Sequence, residues 1–211
     1  MSTRRYVSSV RTAAAAETRA RVIEAAARSL REDSSIATFS LDAVAKAAGI
    51  TRLTVYHQFG SRRGLLEAVF DDIAQRGGLT EIAGAMAMAD PRAALDRLVK
   101  IFCAFWSRDP AVGRLHEAMA TDPEFAQALL ERNERRRKTF NALVSRAAAK
   151  TASPRAQQDA VDMMFALTSF AMFAMLSKDR SAEEVCALVK SACHSALDPL
   201  VSGTHPMVKR R

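Results

Sequence analysis

A short segment in the first third of the chain concentrates side chains that form hydrogen bonds. These side chains are Thr51, Arg52, Thr54, Tyr56 and His57. If Val55 is the inward anchor of a short helix, all five point outward. An arginine there can donate two hydrogen bonds to a guanine edge, and threonine and tyrosine suit phosphate oxygens or a thymine methyl group. The pattern predicts contacts with DNA.

Two short helices must position these side chains. Ser40 is placed to N-cap the first, and Gly49 stands where a helix C-terminus needs a residue that tolerates positive φ. Thr51 caps the second helix, and Phe59-Gly60 ends it. Helices joined by about four residues that include a glycine have the spacing of a helix-turn-helix. Such a motif docks its second helix in the major groove, although two packed helices with solvated polar faces would show the same spacing.

The positive charge of the chain lies in the same region. The net charge is +8, and residues 1–63 contain 11 Lys and Arg against 5 Asp and Glu. A local positive field favours polyanions, with nucleic acid the first candidate and a membrane surface the second. Ser61 is the expected cap of a third helix, and Arg62 and Arg63 follow it at an N-terminus that also attracts phosphate.

Composition predicts an all-α fold. Gly (8) and Pro (6) are scarce among 211 residues, and neither strand alternation nor a repeat is visible. The longest uncharged stretch in the apolar half of the chain, Met163 to Ser177, is shorter than the ~20 residues that span a bilayer, and the N-terminus has no signal-peptide pattern. We therefore expect a soluble cytoplasmic protein without a membrane partner. Helices are predicted at 13–32, 91–107, 111–120, 123–150, 155–177 and 182–201.

The boundaries follow from composition. Residues 1–12 are predicted to be a flexible basic arm, 13–76 a helix-turn-helix DNA-binding domain, 77–201 a second helical domain, and 202–211 a flexible tail. Gly77-Gly78 marks the division between the two domains.

The literal residues of the motif resemble the DNA-binding domain of the tetracycline-repressor (TetR) family. The resemblance covers roughly residues 15–72 and includes Phe39-Ser40-Leu41-Asp42-Ala43-Val44-Ala45, Ala48-Gly49-Ile50-Thr51, Thr54-Val55-Tyr56 and Phe59-Gly60-Ser61-Arg62. It implies an all-helical homodimer with an N-terminal three-helix DNA-binding domain and a C-terminal ligand-binding and dimerisation domain. In this family, ligand binding usually releases operator DNA.

The resemblance also implies roles for single residues. Ser40 would cap the helix that lies over the DNA backbone, and Thr51, Arg52 and Thr54 would face bases or neighbouring phosphates. Tyr56 would contact a phosphate, as would Arg62, which stands where the family usually has lysine. His57 is at a variable position, where it contacts a base or phosphate or is simply solvated.

The C-terminal helices suggest a dimer interface. Helix 155–177 is apolar on two sides and helix 182–201 on one, which predicts that both are buried between protomers unless they form an unusually buried monomer core. The residues predicted at the interface are Val161, Met164, Phe165, Val185, Leu188, Val189 and Ala192.

Aromatic and methionine side chains suggest a ligand site for an apolar or aromatic effector with few polar anchors. The candidates are Phe102, Trp106, His116, Met119, Met163 and Phe170, of which His116 and Trp106 would be the polar anchors. Such residues are more often core than pocket. The run from Glu131 to Lys138 is predicted to be a solvated helix face with i,i+4 ion pairs.

These observations predict a ligand-responsive DNA-binding transcriptional regulator, a repressor that a small molecule releases from a palindromic operator. The alternatives are an activator or co-repressor-dependent regulator of the same fold, and a low-specificity nucleoid protein. No GxSxG, phosphate loop, HExxH or carboxylate–histidine cluster indicates an enzyme, a cofactor or a metal. Cys103, Cys186 and Cys193 form no CxxC motif and are interpreted as small buried hydrophobes, with a redox-sensing thiol as the alternative.

Overall fold

The structure, a computed structural model, describes residues 3–32 and 36–202. Within these ranges the regular secondary structure is helical, with no strand, which confirms the all-α class. The helices are α1 (Thr3–Glu32), α2 (Leu41–Ala48), α3 (Arg52–Phe59), α4 (Arg62–Arg76), α5 (Ile82–Met86), α6 (Pro91–Arg108), α7 (Ala111–Ala118), α8 (Pro123–Ala147), α9 (Pro154–Leu167), α10 (Phe170–Leu176) and α11 (Ala182–Ser202), with 3₁₀ turns at Ile36–Thr38 and Leu79–Glu81.

The chain forms two compact units that are not consecutive in sequence. The first combines the residues up to Ile73 with Asp109–Leu129, and the second combines Ala74–Arg108 with the chain from Leu130 onward. Helix α7 and the start of α8 therefore belong with the N-terminal helices, whereas the sequence predicted a single division at Gly77-Gly78. The reason is packing, because α7 lies against α1 and buries its apolar side there.

The N-terminal unit has an aliphatic core to which each helix contributes one face. Helix α1 supplies the side that carries Val22, Ala26 and Leu30, α3 supplies Val55 alone, and α4 supplies one side of its length. The fully buried side chains include Val22, Ala26, Ala27, Val44, Val55, Leu65, Leu66, Val69, Val112 and Leu115. Burial of a side chain of this kind contributes about 1.5–3 kcal/mol relative to exposure, so the inner side of α3 is fixed by Val55.

The second unit is built around α6 and α11. Helix α11 packs on both α6 and α9, and α10 contacts α6 and α9. Its core is richer in aromatic side chains than that of the first unit and includes Leu95, Leu98, Phe102, Phe105, Trp106, Phe140, Leu143, Val161, Met164, Phe173, Val185, Val189, Cys193 and Leu197.

The start of α1 differs from the prediction. The helix begins at Thr3 rather than Ala13, so the predicted arm is helical from Thr3 to Thr12. No glycine or proline interrupts the sequence there, and the following alanines continue the helix. The predicted helix end at Asp33-Ser34-Ser35 and the tail beyond Ser202 lie outside the described residues.

The predicted continuous helix 155–177 is wrong. It is broken into α9 and α10, whose axes are bent by 57°. The hydroxyl of Thr168 donates to the Met164 carbonyl over 2.7 Å, and the side chain of Ser169 accepts from the Met172 amide over 3.2 Å, so Ser169 N-caps a new helix. Serine and threonine side chains compete with the helix for backbone hydrogen-bonding groups in this way. Here the Thr168 bond lies at the end of α9, and the Ser169 bond starts α10.

Among the described helices, none is by itself long and apolar enough to cross a bilayer. Helices α9 and α10 reach that length and composition only when they are taken together across their bend.

Candidate functional site

Helix α3 is fixed at its N-terminus by its own side chains. The Thr51 hydroxyl oxygen accepts from the Thr54 amide over 3.2 Å and shares a 2.9 Å hydrogen bond with the Thr54 hydroxyl. The predicted cap is therefore confirmed, and both hydroxyls are already engaged. Val55 anchors the opposite side with no exposed surface.

The preceding helix and turn have the predicted local geometry. The Ser40 hydroxyl accepts from the Ala43 amide over 3.2 Å and caps α2. Gly49 has φ +67°, and its amide donates to the Ala45 and Lys46 carbonyls. This left-handed conformation favours glycine, and it redirects the chain from α2 into α3.

The outward face of α3 carries Arg52, Leu53, Tyr56 and His57. Tyr56 is 55% exposed, and Leu53 is 63% exposed although it is apolar. Leu53 was not among the predicted site residues, although helical spacing contained the signal. Residues two positions apart are separated by about 200° around an α-helix, so Leu53 lies on the side opposite the buried Val55. An exposed leucine in this position suits apolar contact with a thymine methyl group.

Arg52 is held by a carboxylate of α2. Its Nη1 lies 3.0 Å from Oδ2 of Asp42, and the two side chains are 66% and 64% exposed. Exposed ion pairs contribute only about 0–1 kcal/mol, so Arg52 can exchange this partner for a guanine edge. Asp42 thus orients the arginine without removing it from solvent.

Arg62, the predicted phosphate contact, has several partners within the protein. Its Nε and Nη2 donate to the Phe39 and Ile36 carbonyls over 3.3 and 3.4 Å, and its Nη1 lies 3.4 Å from Oδ2 of Asp122. The guanidinium carbon is also 5.6 Å from the centre of the Phe39 ring. Because backbone and carboxylate groups within its own unit engage all three nitrogens, Arg62 connects the elements of that unit.

The far end of α3 depends on two residues that the sequence did not single out. Nη1 of Arg19 donates to the Gln58 carbonyl over 3.0 Å, and its guanidinium carbon lies 4.4 Å from the centre of the Phe59 ring. A positive charge at a helix C-terminus is favourable. At Gly64 a Cβ would lie 2.1 Å from the Phe59 carbonyl oxygen, so the turn between α3 and α4 requires glycine.

In the second unit, four aromatic side chains and one arginine gather at the break between α9 and α10. We call this group the aromatic cluster, and its members are Phe102, Trp106, Phe165, Phe170 and Arg136. The Trp106 and Phe170 rings meet edge to face with centres 5.8 Å apart. Nε1 of Trp106 donates to the Thr168 carbonyl over 2.9 Å, an acceptor that the helix break leaves available.

Arg136 is buried inside this cluster, contrary to the predicted solvated face. It is 7% exposed, its Nη1 donates to the Thr168 carbonyl, and its guanidinium carbon lies 4.4 Å from the centre of the Phe165 ring. Burial lowers the pKa of Arg136 to about 10, with the charge of Arg137 acting in the same direction. Arg136 is still a cation at neutral pH.

The other predicted ligand residues do not join the cluster. His116 and Met119 belong to the N-terminal unit, and Nδ1 of His116 lies 3.0 Å from the Val112 carbonyl of the same helix. Met163 is 53% exposed. Of the six candidates, the structure brings together Phe102, Trp106 and Phe170.

The predicted interface residues divide into two groups. Val161, Met164, Val185 and Val189 are buried within the chain's own core, because α9, α11 and α6 pack on one another. Leu188 is 44% exposed, and Phe165 and Ala192 are half-buried.

The cysteines lie in the second unit. Cys103 and Cys193 are buried, and Cys186 is half-buried. The thiols of Cys103 and Cys186 form a hydrogen bond, which raises the pKa of Cys103 and, helped by Lys190 and Lys100, lowers the pKa of Cys186 to about 7. Burial raises the pKa of Cys193 to about 12. The described residues contain no group of three or more His, Cys, Asp or Glu side chains arranged to hold a metal.

Sequence comparisons match both parts of the chain. The family described as "Bacterial regulatory proteins, tetR family" matches residues 23–69, and "Tetracyclin repressor-like, C-terminal domain" matches residues 89–201. The HTH-type transcriptional regulator EthR of Mycolicibacterium smegmatis (strain ATCC 700084 / mc(2)155) is 35% identical over 108 residues, which are 50% of this chain and 49% of that protein. The chain thus spans about half the length of this curated relative.

Solved structures share the fold. A TetR transcription regulator from Haloarcula marismortui ATCC 43049 matches with a TM-score of 0.67 and 15% identity, covering 88% of this chain and 98% of that one. A transcriptional regulator from Saccharomonospora viridis in complex with choline matches with a TM-score of 0.64 and 15% identity, covering 83% of this chain and 95% of that one.

Proposed function

The chain belongs to the tetR family of bacterial regulatory proteins, and on this premise we propose that it is a ligand-responsive repressor. In this proposal a homodimer binds a palindromic operator through α3 of each protomer. A small apolar or aromatic molecule that binds the second unit lowers the affinity for the operator.

The observation that carries the proposal is the two-sided character of α3. Its inner side is anchored by fully buried Val55, while Arg52, Leu53 and Tyr56 are exposed on a helix whose two ends are held. A fixed helix with one long donor and one apolar side chain outward has the groups that distinguish guanine and thymine in the major groove.

Dimerisation is proposed through α9 and α11. These helices pack on each other, and Met163 and Leu188 are exposed apolar side chains on them. The proposal predicts that Leu188→Asp yields folded monomers, because the side chain lies outside the chain's own core. Light scattering measures the mass, and Val189→Asp is the contrasting variant, since a charge at that buried position unfolds the chain. A folded Leu188→Asp dimer would remove Leu188 from the interface.

Effector binding is proposed at the aromatic cluster. Trp106 and Phe102 are buried there beside the half-buried Phe170. The choline complex of the Saccharomonospora viridis regulator supports small-molecule binding by a protein of this fold. Trp106 is the single tryptophan of the chain, so its fluorescence reports on this site.

The test begins with selection of bound duplexes from a random pool, followed by titration of the selected duplex and a scrambled one at two salt concentrations. We expect the selected duplex to bind at least 10³-fold more tightly than the scrambled one, the lower end of the usual range for specific recognition. Equal binding of both, with a steep salt dependence, would identify a low-specificity nucleoid protein instead. Affinity that rises with a bound compound would indicate a co-repressor-dependent or activating regulator.

A further inference from the structure

Arg136 is the charged side chain that the structure buries most completely among the described residues. In that part of the chain, Arg136 and Thr168 are the buried polar or charged side chains. Charges drawn out of water in proteins are paired with an opposite charge. Arg136 has no carboxylate within ion-pair distance in the described residues, and the nearby Glu134 pairs with Arg137 instead.

The two sides of the Arg136 guanidinium differ in their hydrogen bonding. Nη1 donates to the Thr168 carbonyl. Nε is buried without a hydrogen-bond partner, and it lies on the side of the guanidinium away from Nη1. Nε and Nη2 form the edge of the planar fork that meets both oxygens of a carboxylate in a bidentate pair. The side that carries Nε is therefore the one suited to an anion.

Neither water nor the aromatic rings supply what is missing. A water molecule would satisfy the Nε–H group without neutralising the charge. The Phe165 and Phe102 rings, with centres 4.4 and 5.8 Å from the guanidinium carbon, stabilise a cation through their faces but offer no hydrogen-bond acceptor to Nε in the plane of the fork. A planar anion would supply both the acceptor for Nε and the counter-charge.

We propose that Arg136 binds the carboxylate of an effector whose apolar or aromatic body packs against Phe102, Trp106, Phe165 and Phe170. This proposal rests on the proposed function and specifies its ligand class: a monocarboxylic acid with a hydrophobic body rather than a neutral apolar compound. The carboxylate supplies the counter-charge, and the rings supply apolar surface.

The probes are two carboxylates and their neutral amides, namely 3-phenylpropionate with 3-phenylpropanamide and octanoate with octanamide. Each is titrated into the full-length protein, with Trp106 fluorescence and the melting temperature as readouts. An amide keeps the shape of the acid but loses its charge. We expect each carboxylate to raise the melting temperature, to change the fluorescence and to bind at least tenfold more tightly than its amide.

Two variants isolate the buried charge. Arg136→Met removes the guanidinium and keeps an apolar stem, and Arg137→Met removes an equal charge from a side chain that lies over the same Phe165 ring, 4.1 Å from its centre. Arg137 is 32% exposed and paired with Glu134 and Asp162, so it is the matched control. We expect Arg136→Met to weaken carboxylate binding at least tenfold and to abolish the preference over the amide, while Arg137→Met retains both.

The outcomes separate this proposal from the proposed function. Carboxylates that bind no better than amides, that do not bind at millimolar concentration, or that weaken equally in both variants would overturn the Arg136 site. If Arg136→Met does not fold, the comparison of acids with amides on the unmodified protein decides.

If amides bind the protein and release it from the operator while carboxylates do not, the repressor function would be retained and the anion site overturned. Carboxylates that bind through Arg136 without changing operator affinity would support the site and overturn the ligand-responsive repressor.

Discussion

Arg31 in the N-terminal unit is partly buried and Arg136 in the second unit is almost fully buried, and their charges are compensated differently. Nε and Nη2 of Arg31 donate to Asp109 over 3.1 and 2.8 Å, and these hydrogen bonds raise the pKa of Arg31. Burial instead lowers the pKa of Arg136 to about 10. Arg31 connects α1 to the residue Asp109 that precedes α7, and Asp109 neutralises its charge. Arg136 has an unpartnered Nε and no carboxylate that neutralises its charge among the described residues.

The contrast extends to the design of each unit. In the N-terminal unit Arg62 is also satisfied, by two carbonyls and Asp122, so its partly buried cations stabilise the helices that hold α3. In the second unit the broken helix supplies one carbonyl to two donors and leaves Arg136 unneutralised. The partly buried arginines of the N-terminal unit thus have carboxylate partners within that unit, whereas the buried arginine of the second unit has none among the described residues.

The largest expected effect is on the free energy of unfolding, which two matched arginine substitutions should change in opposite directions. Arg31→Met should lower the free energy of unfolding by about 2 kcal/mol, because charge-assisted hydrogen bonds are lost and Asp109 is left partly buried. Arg136→Met should raise it by about 2 kcal/mol, because an uncompensated buried charge is replaced by apolar volume. Urea denaturation of both variants measures this difference, and a loss of stability in both would contradict the contrast.

The turn that ends α3 gives the next effect. Gly64→Ala places a methyl group against the Phe59 carbonyl and should destabilise the protein by about 3 kcal/mol, the upper part of the usual range for overpacking. Gly84→Ala in α5 is the control, since a Cβ there meets no atom within 4 Å, and it should stabilise the protein by about 0.4–1 kcal/mol. Thermal unfolding followed by circular dichroism compares them, and equal melting temperatures would show that the α3–α4 turn is not constrained.

A smaller effect concerns discrimination between DNA sequences. Arg52→Ala should reduce the preference for the selected duplex over a scrambled one by about 1–3 kcal/mol, the contribution of a bidentate arginine–guanine pair. Asp42→Ala breaks the same ion pair but keeps the arginine, so it should preserve that preference. Titrations of both duplexes with each variant give the result. An equal loss on both duplexes for Arg52→Ala would make Arg52 a phosphate contact.

The smallest effect concerns the reactivity of a cysteine thiol in the second unit. Because Cys186 has a pKa of about 7 and those of Cys103 and Cys193 are raised, Cys186 should be the thiol that iodoacetamide alkylates. The thiolate is the reactive form, so its rate should rise through pH 7 and level off above pH 8. Mass spectrometry of peptides after short exposure locates the label. A rate that climbs only near pH 9 would indicate an unperturbed thiol.

The candidate DNA-reading helix was predictable because its determinants are local. Ser40, Gly49 and Thr51 act on backbone groups within a few residues, and the one-sided anchor Val55 follows from helical spacing. The partners of Arg62 within the protein were not predictable, because the two carbonyls lie 23 and 26 residues away, a relation that spacing does not contain.

The second unit was predicted less well because its determinants are tertiary. Thr168 and Ser169 interrupt a stretch that is apolar on both sides, and the hydrogen bonds of these two side chains accompany its division into two helices. Arg136 lies in a run of charged residues whose pattern is that of a solvated face, and its burial depends on the rings of α6 and α9. The requirement for glycine at Gly64 was not predictable from the sequence either, because the residues around it do not indicate how closely the Phe59 carbonyl oxygen lies.

The most direct test of the account is an operator titration with and without saturating 3-phenylpropionate, on the unmodified protein and on Arg136→Met. Coupling between two sites is reciprocal, so a carboxylate that prefers the released form by ~100-fold weakens operator binding by ~2.7 kcal/mol. We expect at least a tenfold loss of operator affinity in the unmodified protein and no change in Arg136→Met. Unchanged affinity in the unmodified protein, under conditions in which Trp106 fluorescence shows the carboxylate bound, would contradict it.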